Sequence, residues 1–370
     1  MHTFIAVHGG AGSHSSASKE LKQALRLACK TALESSSSLD VTEKAISILE
    51  DDPNLNAGFG SNLTLEGTVE CDAAIMDGQN HFGSVGAVSG VKNPIRIARA
   101  ILEHSQVPDP LGRIPPLTLV SSGAHAFASK HPHTSSQIVD AETLVNEKAK
   151  TRWRYWKDRW SSANSIDVSP PTEYGNLHDL QDTVGAVACC SGNMAAGVSS
   201  GGLLLKMEGR CGEAAVFGAG CWAQNICPKA QIGMACSISG TGEYITRSGL
   251  ARALGKAFEA LPNPDDDLEG IVDPHAIMQQ VLVDEFWKPS RDLGESSPSA
   301  GILLMTYEDG ADNQPIVRVW CAFTTPTMAI AYASSQDPNP KALILRRPKE
   351  MDHTGGRNDN APVYMTAFSL

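Results

Sequence analysis

The sequence predicts an α+β fold in which two β-sheets are packed between helical layers. Three observations predict it. In both halves of the chain, runs of residues with strand character are followed by paired segments of helical spacing. A polar stretch without periodicity, about 161–180 with Pro170-Pro171, separates the two halves. The 370 residues are 42% apolar, enough to bury a sizeable core and too apolar for a disordered chain.

Residues 4–8 read as a short buried strand leading into His8-Gly9-Gly10-Ala11-Gly12. From 18 to 36, Leu21, Leu25, Ala28 and Ala32 recur along one helical face. Asp40 followed by Glu43 predicts a capping box for a second helix through Ala45, Ile46 and Leu49. After the glycine turn Asn56-Ala57-Gly58-Phe59-Gly60-Ser61, strands are expected at 68–76 and 84–88. Asn93-Pro94 then opens a helix to about Glu103, with Pro in its first turn. Residues 136–160 form a charged amphipathic stretch carrying Trp153, Trp156 and Trp160, and lead into the polar linker. Beyond it, 183–190, 194–200, 214–217 and 231–238 have the small and β-branched residues of strands. Helices at 242–261 and 274–287 follow, and the final strands lie near 302–307, 316–322 and 342–345. Val85-Gly86-Ala87-Val88 recurs as Val184-Gly185-Ala186-Val187, which fits either paired halves or two strands that each need small residues.

Charge and cysteine usage exclude several function classes. A net charge of −11 argues against an extended nucleic-acid surface. No apolar run approaches the ~18–20 residues needed to span a bilayer, so no membrane partner is expected. The apolar run at 4–7 is too short for a secretory signal, which leaves the sequon Asn62-Leu63-Thr64 a chance match. The nine cysteines contain no CxxC and read as reduced thiols of a cytoplasmic or nuclear protein.

The junction after the linker carries the chemistry. Thr183 opens a strand directly behind Asp182. An internal Thr hydroxyl is a poor nucleophile without an adjacent base. If the bond before Thr183 were cut, the new α-amine, with a reference pKa of about 7.7–8.0, would take the hydroxyl proton at neutral pH. The β-methyl restricts χ1 and helps to aim Oγ1. Taken alone, such a Thr is a structural residue.

A series of motifs raises it above that reading. Asp182-Thr183-Val184-Gly185-Ala186-Val187, Ser199-Ser200-Gly201-Gly202, Gly209-Arg210-Cys211-Gly212 and Gly218-Ala219-Gly220-Cys221-Trp222-Ala223 stand in one half. His8-Gly9-Gly10-Ala11-Gly12, Asn56-Ala57-Gly58-Phe59-Gly60-Ser61 and Cys71-Asp72-Ala73-Ala74-Ile75-Met76-Asp77-Gly78 stand in the other. In order and approximate spacing the set resembles the plant-type asparaginases. These are N-terminal nucleophile (Ntn) hydrolases of the isoaspartyl peptidase and threonine aspartase (taspase) group.

The resemblance implies a four-layer αββα sandwich and a single Ntn domain. Self-cleavage between Asp182 and Thr183 would give an α chain 1–182, with its linker at about 161–182, and a β chain 183–370 that begins at the nucleophile. Ser200 matches the second hydroxyl residue, which contacts the nucleophile. Arg210 matches the guanidinium that grips a substrate carboxylate, a task suited to its planar fork. Ser239 and Gly240 fall where Thr-Gly supplies the oxyanion hole, and Asn56 where an amide lies near the nucleophile. Self-association as (αβ)2 is implied. No cofactor or metal is expected.

Two departures bear on the subfamily. Asparaginases usually have Gly before the nucleophile, whereas this chain has Asp182, as threonine aspartases do. They also carry Asp at the position of Glu213, binding the substrate's α-ammonium, where threonine aspartases have an uncharged residue. Glu213, one methylene longer than Asp, either sits displaced or pairs with Arg210. Asp182, Ser199-Ser200 and Gly112-Arg113-Ile114-Pro115-Pro116 favour a threonine endopeptidase cleaving protein substrates after an internal Asp. The alternatives are an isoaspartyl aminopeptidase/L-asparaginase, or an inactive scaffold lacking Thr, Arg or the second hydroxyl, none of which is missing.

Three other motifs compete. Gly197-Val198-Ser199-Ser200-Gly201 matches GxSxG, but no helix is expected after it. His131-Pro132-His133 lacks the accompanying ligands of a metal site and reads as a surface loop. The basic, Trp-rich stretch 148–160 reads as a solvated helix rather than a nucleic-acid segment.

Overall fold

A computed structural model describes residues 2–14, 18–162, 183–226, 231–260, 273–310, 314–348 and 361–370. Asp182 and nearly all of the expected linker lie outside the described residues. In chain order the first half holds strand β1 (Thr3–Gly12), helices α1 (Lys19–Ala32) and α2 (Ser38–Glu50), strands β2 (Cys71–Asp77) and β3 (Phe82–Val88), helix α3 (Pro94–Ser105), strand β4 (Thr118–Val120), and helices α4 (Ser121–Lys130) and α5 (Glu147–Ser162). The second half opens with strands β5 (Val184–Cys190), β6 (Asn193–Ser200), β7 (Cys221–Gln224) and β8 (Ile232–Gly240). Helices α6 (Gly242–Ser248), α7 (Leu250–Glu259), α8 (Pro274–Gln280) and α9 (Lys288–Asp292) follow. Strands β9 (Ala300–Asp309), β10 (Pro315–Phe323), β11 (Thr327–Ser334), β12 (Lys341–Arg346) and β13 (Tyr364–Ser369) complete it.

The strands form two open sheets. One runs β12-β11-β1-β5-β6-β2-β3-β4, antiparallel except for the β3–β4 pair, and the other runs β13-β10-β9-β8-β7. Strand alternation builds the layers. On β1, Ile5 and Val7 join the core beneath α1, α2 and α3, while Phe4 and Ala6 face the second sheet. On β5, Val184, Ala186 and Ala188 face the helices, and Val187 and Cys189 face the second sheet. The far side of the five-stranded sheet is covered by Leu250, Leu254, Phe258 and Met278 from α7 and α8. The result is the αββα sandwich, helices outside and two sheets face to face.

The sheets approach closely at Gly185. A β-carbon there would lie 2.0 Å from Ser237 Oγ and 2.4 Å from His8 Nε2. Ser237 Oγ donates to the carbonyl of Gly197 at 2.9 Å and contacts His8 Nε2 at 2.8 Å, so a polar seam crosses between the sheets. Gly86 is small for another reason, because a β-carbon would meet Cys211 Sγ at 2.6 Å. The repeated Val-Gly-Ala-Val therefore marks two strands with separate steric needs. β3 and β5 do not pair; β6 and β2 lie between them.

Several elements depart from the sequence expectation. Helix α2 begins earlier, capped by Ser37, whose side chain accepts from the Asp40 N–H at 3.1 Å. The stretch 214–217 is not a strand; a 3-10 turn at Glu213–Ala215 occupies it. The helix expected at 242–261 breaks at Gly249, whose left-handed φ of 57° separates α6 from α7. Strands β4, β11 and β13 and helix α4 were not legible. The Trp-rich helix α5 is docked: Trp153 Nε1 donates to the Thr64 carbonyl at 2.8 Å and Lys157 Nζ to that of Leu65 at 2.7 Å. Its cations lie against its own aromatic rings, Lys157 by Trp153 and Trp160. Among the described residues no helix is long and apolar enough to cross a membrane. The eight described cysteines are free thiols, and all but Cys211 are buried.

Glu50, at the end of α2, is fully buried, with Oε1 accepting from Ser199 Oγ at 2.7 Å and from the Ile95 N–H at 3.0 Å. Burial pushes its pKa up to about 8, against the lowering effect of these hydrogen bonds. A folded-state pKa above the unfolded value means that stability is greatest below the ordinary carboxylate range and is lost as pH rises through 8. Glu50→Gln should therefore melt close to wild type at pH 4.5–5 and above it at pH 8.5. At ~1.4 kcal/mol per pKa unit the gap should reach a few kcal/mol. A gap that shrinks with rising pH would contradict this assignment of the charge.

Candidate active site

Thr183 immediately precedes β5, on the face that meets the second sheet. Strand pairing brings Val184 opposite Ser199 and Ser200 opposite Asp72, so Thr183, Ser200 and Asp72 succeed one another across β5, β6 and β2. Ser239, two residues after Ser237 on β8, meets Thr183 as Ser237 meets Gly185. Its Oγ accepts from the Thr183 N–H at 3.4 Å and the Ala11 N–H at 3.0 Å. The polar seam that joins the sheets thus ends on the backbone of Thr183.

The Thr183 hydroxyl lies between two oxygens, Ser200 Oγ at 3.1 Å and Glu213 Oε1 at 3.0 Å. It has one proton to donate. With Glu213 ionised, that proton goes to the carboxylate, and Ser200 turns its own proton toward Thr183 Oγ1. Ser200 can do so because its oxygen accepts from the Gly202 N–H at 3.0 Å. Thr183, Ser200 and Glu213 are all buried. Burial raises the Glu213 pKa to about 7; the nearby Arg210 charge, its own N–H and the Thr183 hydroxyl oppose the rise, and Asp72 adds to it.

Arg210 and Glu213 are not ion-paired with each other. Arg210 Nε donates to Glu243 Oε1 at 2.8 Å, from the first turn of α6, and Nη2 lies 2.8 Å from the same oxygen. Nη2 is buried and out of line for a hydrogen bond, so its protons have no acceptor among the described residues. It points toward Gly242, where a β-carbon would lie 2.8 Å from Nη2 and 2.3 Å from Glu213 Oε2. A guanidinium nitrogen and a carboxylate oxygen therefore converge on one glycine.

Asn56 binds backbone at both ends. Its Nδ2 donates to the Gly202 carbonyl at 2.9 Å, and its Oδ1 accepts from the Asn62 N–H at 2.8 Å. With the Gly201 N–H on the Asn56 carbonyl, at 2.9 Å, this clamps the turn after Ser200. Gly240 closes the pocket at φ +145°, where a β-carbon would collide with the Ser299 carbonyl. Asn56, Thr183, Ser200, Arg210, Glu213 and Gly240 all line this one small pocket. Ser239 reaches Thr183 from β8.

Sequence reasoning missed four contributors. Asp72 Oδ2 accepts from the Gly212 N–H at 2.7 Å and Oδ1 from the Ala87 N–H at 2.8 Å, which holds the loop carrying Arg210 and Glu213. Lys206 is buried with Nζ on the Glu70 carbonyl at 2.6 Å, and its charge offsets the burial that raises the Asp72 pKa. Glu243 and Gly242 complete the Arg210 side. One signal was available: Asp72 precedes the apolar run Ala73–Met76 and Lys206 follows Leu203-Leu204-Leu205, so each charge abuts an apolar run. The GxSxG reading does not hold. A turn, not a helix, follows β6, and Ser199 Oγ faces Glu50. Among the described residues no group of three or more His, Cys, Asp or Glu is placed to hold a metal ion.

Comparison with known proteins finds relatives over most of the chain. The asparaginase family profile matches residues 1–262. A plant-type L-asparaginase of Pyrococcus horikoshii is 36% identical over 261 residues, 67% of this chain and 77% of that protein. An isoaspartyl peptidase/L-asparaginase of Xenopus laevis is 35% identical over 276 residues, 72% and 79% of the two chains. That of Bos taurus is 34% identical over 279 residues, 71% and 81%.

Gly242 gives a direct check on the geometry. Gly242→Ala should push Glu213 or Arg210 aside, since both side chains lie within 2.8 Å of the added methyl. A crystal structure of the variant should show the Thr183–Glu213 hydrogen bond opened. Retention of both the 3.0 Å contact and the Arg210–Glu243 pair would refute the convergence on this glycine.

Proposed function

The chain belongs to the asparaginase family of Ntn hydrolases, and from that premise we propose that it is an isoaspartyl peptidase/L-asparaginase that frees its nucleophile by self-cleavage between Asp182 and Thr183. The observation that carries the substrate class is the convergence of Arg210 Nη2 and Glu213 Oε2 on Gly242. An α-amino acid carries its carboxylate and ammonium on one carbon. A buried guanidinium nitrogen with unused protons suits the carboxylate, and an adjacent carboxylate suits the ammonium. A substrate held by both charges presents its side-chain amide to Thr183. That amide is the carboxamide of asparagine or the β-linkage of an isoaspartyl peptide.

In this reading the α-amine of Thr183 takes the Oγ1 proton in the mature enzyme, and Oγ1 attacks the side-chain carbonyl. Ser200 orients the hydroxyl. Ser239 and Gly240 flank the developing oxyanion, a position where one donor is worth roughly 10²–10³ in rate. The leaving amine departs with a proton, and water hydrolyses the acyl ester. Mature protomers self-associate as (αβ)2, which light scattering checks as twice the mass of the 39.2 kDa chain.

A second reading, an endopeptidase cutting protein substrates after Asp, has two observations in its favour. Asp182 precedes the scissile bond, so the site accepts an aspartyl side chain in cis. Glu213 Oε1 is bound to Thr183 Oγ1, which leaves one carboxylate oxygen for an ammonium.

Three measurements test the proposal. Intact mass and amino-terminal sequencing should find a chain beginning at Thr183, whereas Thr183→Ala should stay a single inactive chain. The value of kcat/KM for asparagine and β-aspartyl-leucine should exceed that for an internal-Asp peptide by tenfold or more, about 1.4 kcal/mol in transition-state terms. The reverse order would establish the endopeptidase. Arg210→Lys should cost at least tenfold in kcat/KM for asparagine, mainly through KM, because an ammonium cannot reproduce the fork.

A further inference from the structure

The intact chain poses a chemical problem that the mature enzyme does not. Before cleavage, the nitrogen of Thr183 is an amide, whose lone pair is delocalised into the carbonyl and cannot take the hydroxyl proton. Self-cleavage therefore needs another base within reach of Oγ1. In the described pocket the groups on Oγ1 are Ser200 Oγ and Glu213 Oε1. Ser200 is a hydroxyl with an ordinary alcohol's reluctance to hold a second proton. Only Glu213 is a carboxylate.

We propose that Glu213 is the general base of self-cleavage, accepting the Thr183 hydroxyl proton in the uncleaved chain. This rests on the reading that the chain is cut before Thr183. Oγ1 loses its proton to Glu213 Oε1 and bonds to the carbonyl carbon of residue 182. The C–N bond to Thr183 breaks as that proton is passed to the departing nitrogen. The resulting ester is hydrolysed by water to a carboxylate on residue 182 and a free hydroxyl on Thr183. The new α-amine then serves as base in turnover. Glu213 is released for the substrate's ammonium, so one carboxylate has two successive tasks.

The surroundings suit a base that works near neutral pH. Burial holds the Glu213 carboxyl near 7 rather than in the ordinary carboxylate range. The charges that face it are Arg210, from the loop before it, and Asp72, from β2; they act in opposite directions. Glu243 of α6 neutralises much of Arg210 by pairing with its Nε, which keeps that guanidinium from pulling Glu213 into a salt bridge. Lys206 does the corresponding service for Asp72. As pH falls through about 7, a growing fraction of Glu213 holds a proton and cannot accept another, so cleavage slows.

The test is the rate of self-cleavage in full-length chain made by cell-free synthesis at pH 5.5 and jumped to pH 5.5–8.5, followed by denaturing gel. Wild type should accelerate with pH and level off with a midpoint near 7. Glu213→Gln, close in shape and uncharged, should slow cleavage by at least ~10²-fold and flatten the profile, as expected for loss of a positioned base. Glu213→Asp should recover part of both rate and pH dependence. Cleavage of Glu213→Gln within threefold of wild type, or a flat wild-type profile, would overturn the proposal. The wild-type profile needs no substitution, so a misfolded variant does not shield the idea. Self-cleavage consumes no external substrate. A chain that cleaves with this Glu213 dependence yet ignores asparagine and β-aspartyl-leucine would sink the substrate reading and leave the base in place.

Discussion

The close approach of the two sheets at Gly185 is the constraint on which the rest depends. Face-to-face sheets normally stand about 10 Å apart, filled by interdigitating side chains. Here a glycine on β5 lets Ser237 and His8 occupy the space of a side chain, and polar contacts replace apolar filling. Two residues along each strand, the same geometry repeats as Thr183 against Ser239. Thr183 is thus fixed by the spacing of two sheets rather than by a loop. That is the rigidity a positioned hydroxyl needs, since holding groups in a reactive geometry removes an entropic part of the barrier. Any residue larger than glycine at 185 would part the sheets next to the reacting group.

Strand alternation then divides the polar work of β6. Ser199 and Ser200 are adjacent, so they point to opposite faces of the sheet. Ser199 serves Glu50 on the helix side, and Ser200 serves Thr183 on the sheet side, where Glu213 completes the network. Both carboxylates are buried and both titrate far above the ordinary range. Their consequences differ. Glu50 binds the N–H of Ile95 in the first turn of α3, joining α2, α3 and β6, and its buried charge is a cost in stability that grows with pH. Glu213 faces the Thr183 hydroxyl, which in the proposed reaction loses a proton, so there the same desolvation gives it a useful basicity.

The sequence made this much legible because short-range patterns encode it. The strand runs on either side of the linker, the proline-started α3 and the apolar stripe of α1 all follow local periodicity. The motifs placed Thr183, Ser200, Arg210, Glu213, Ser239, Gly240 and Asn56, and the structure gathers them. What escaped depended on long-range partners. β11 reads as Met328-Ala-Ile-Ala-Tyr without polar alternation, because it is an inner strand between β1 and β12 and buried on both faces. The break at Gly249 is a single left-handed residue inside a helical pattern. The residues at 214–217 have strand composition, yet Asp72 draws the preceding Gly212 into a turn. Glu243 gave no signal at all, since its role comes from facing Arg210 across 33 residues of sequence.

Under the proposed function, the Arg210–Glu243 pair gives so small a pocket a way to admit a substrate. Glu243 is about half exposed, so its partnership with Arg210 is one that water and a competing carboxylate can replace at little cost. Glu213 has no such freedom, being enclosed and bound to the Thr183 hydroxyl. The two charges therefore differ in exposure: under the proposed function the outer one, Glu243, yields to the ligand, and the inner one, Glu213, stays in the pocket to meet the ammonium. Specificity in that reading comes from what happens to the guanidinium after Glu243 leaves. A ligand carboxylate restores its pairing, while a neutral ligand would leave a largely buried cation with unused protons, a penalty of the kind that discriminates by orders of magnitude.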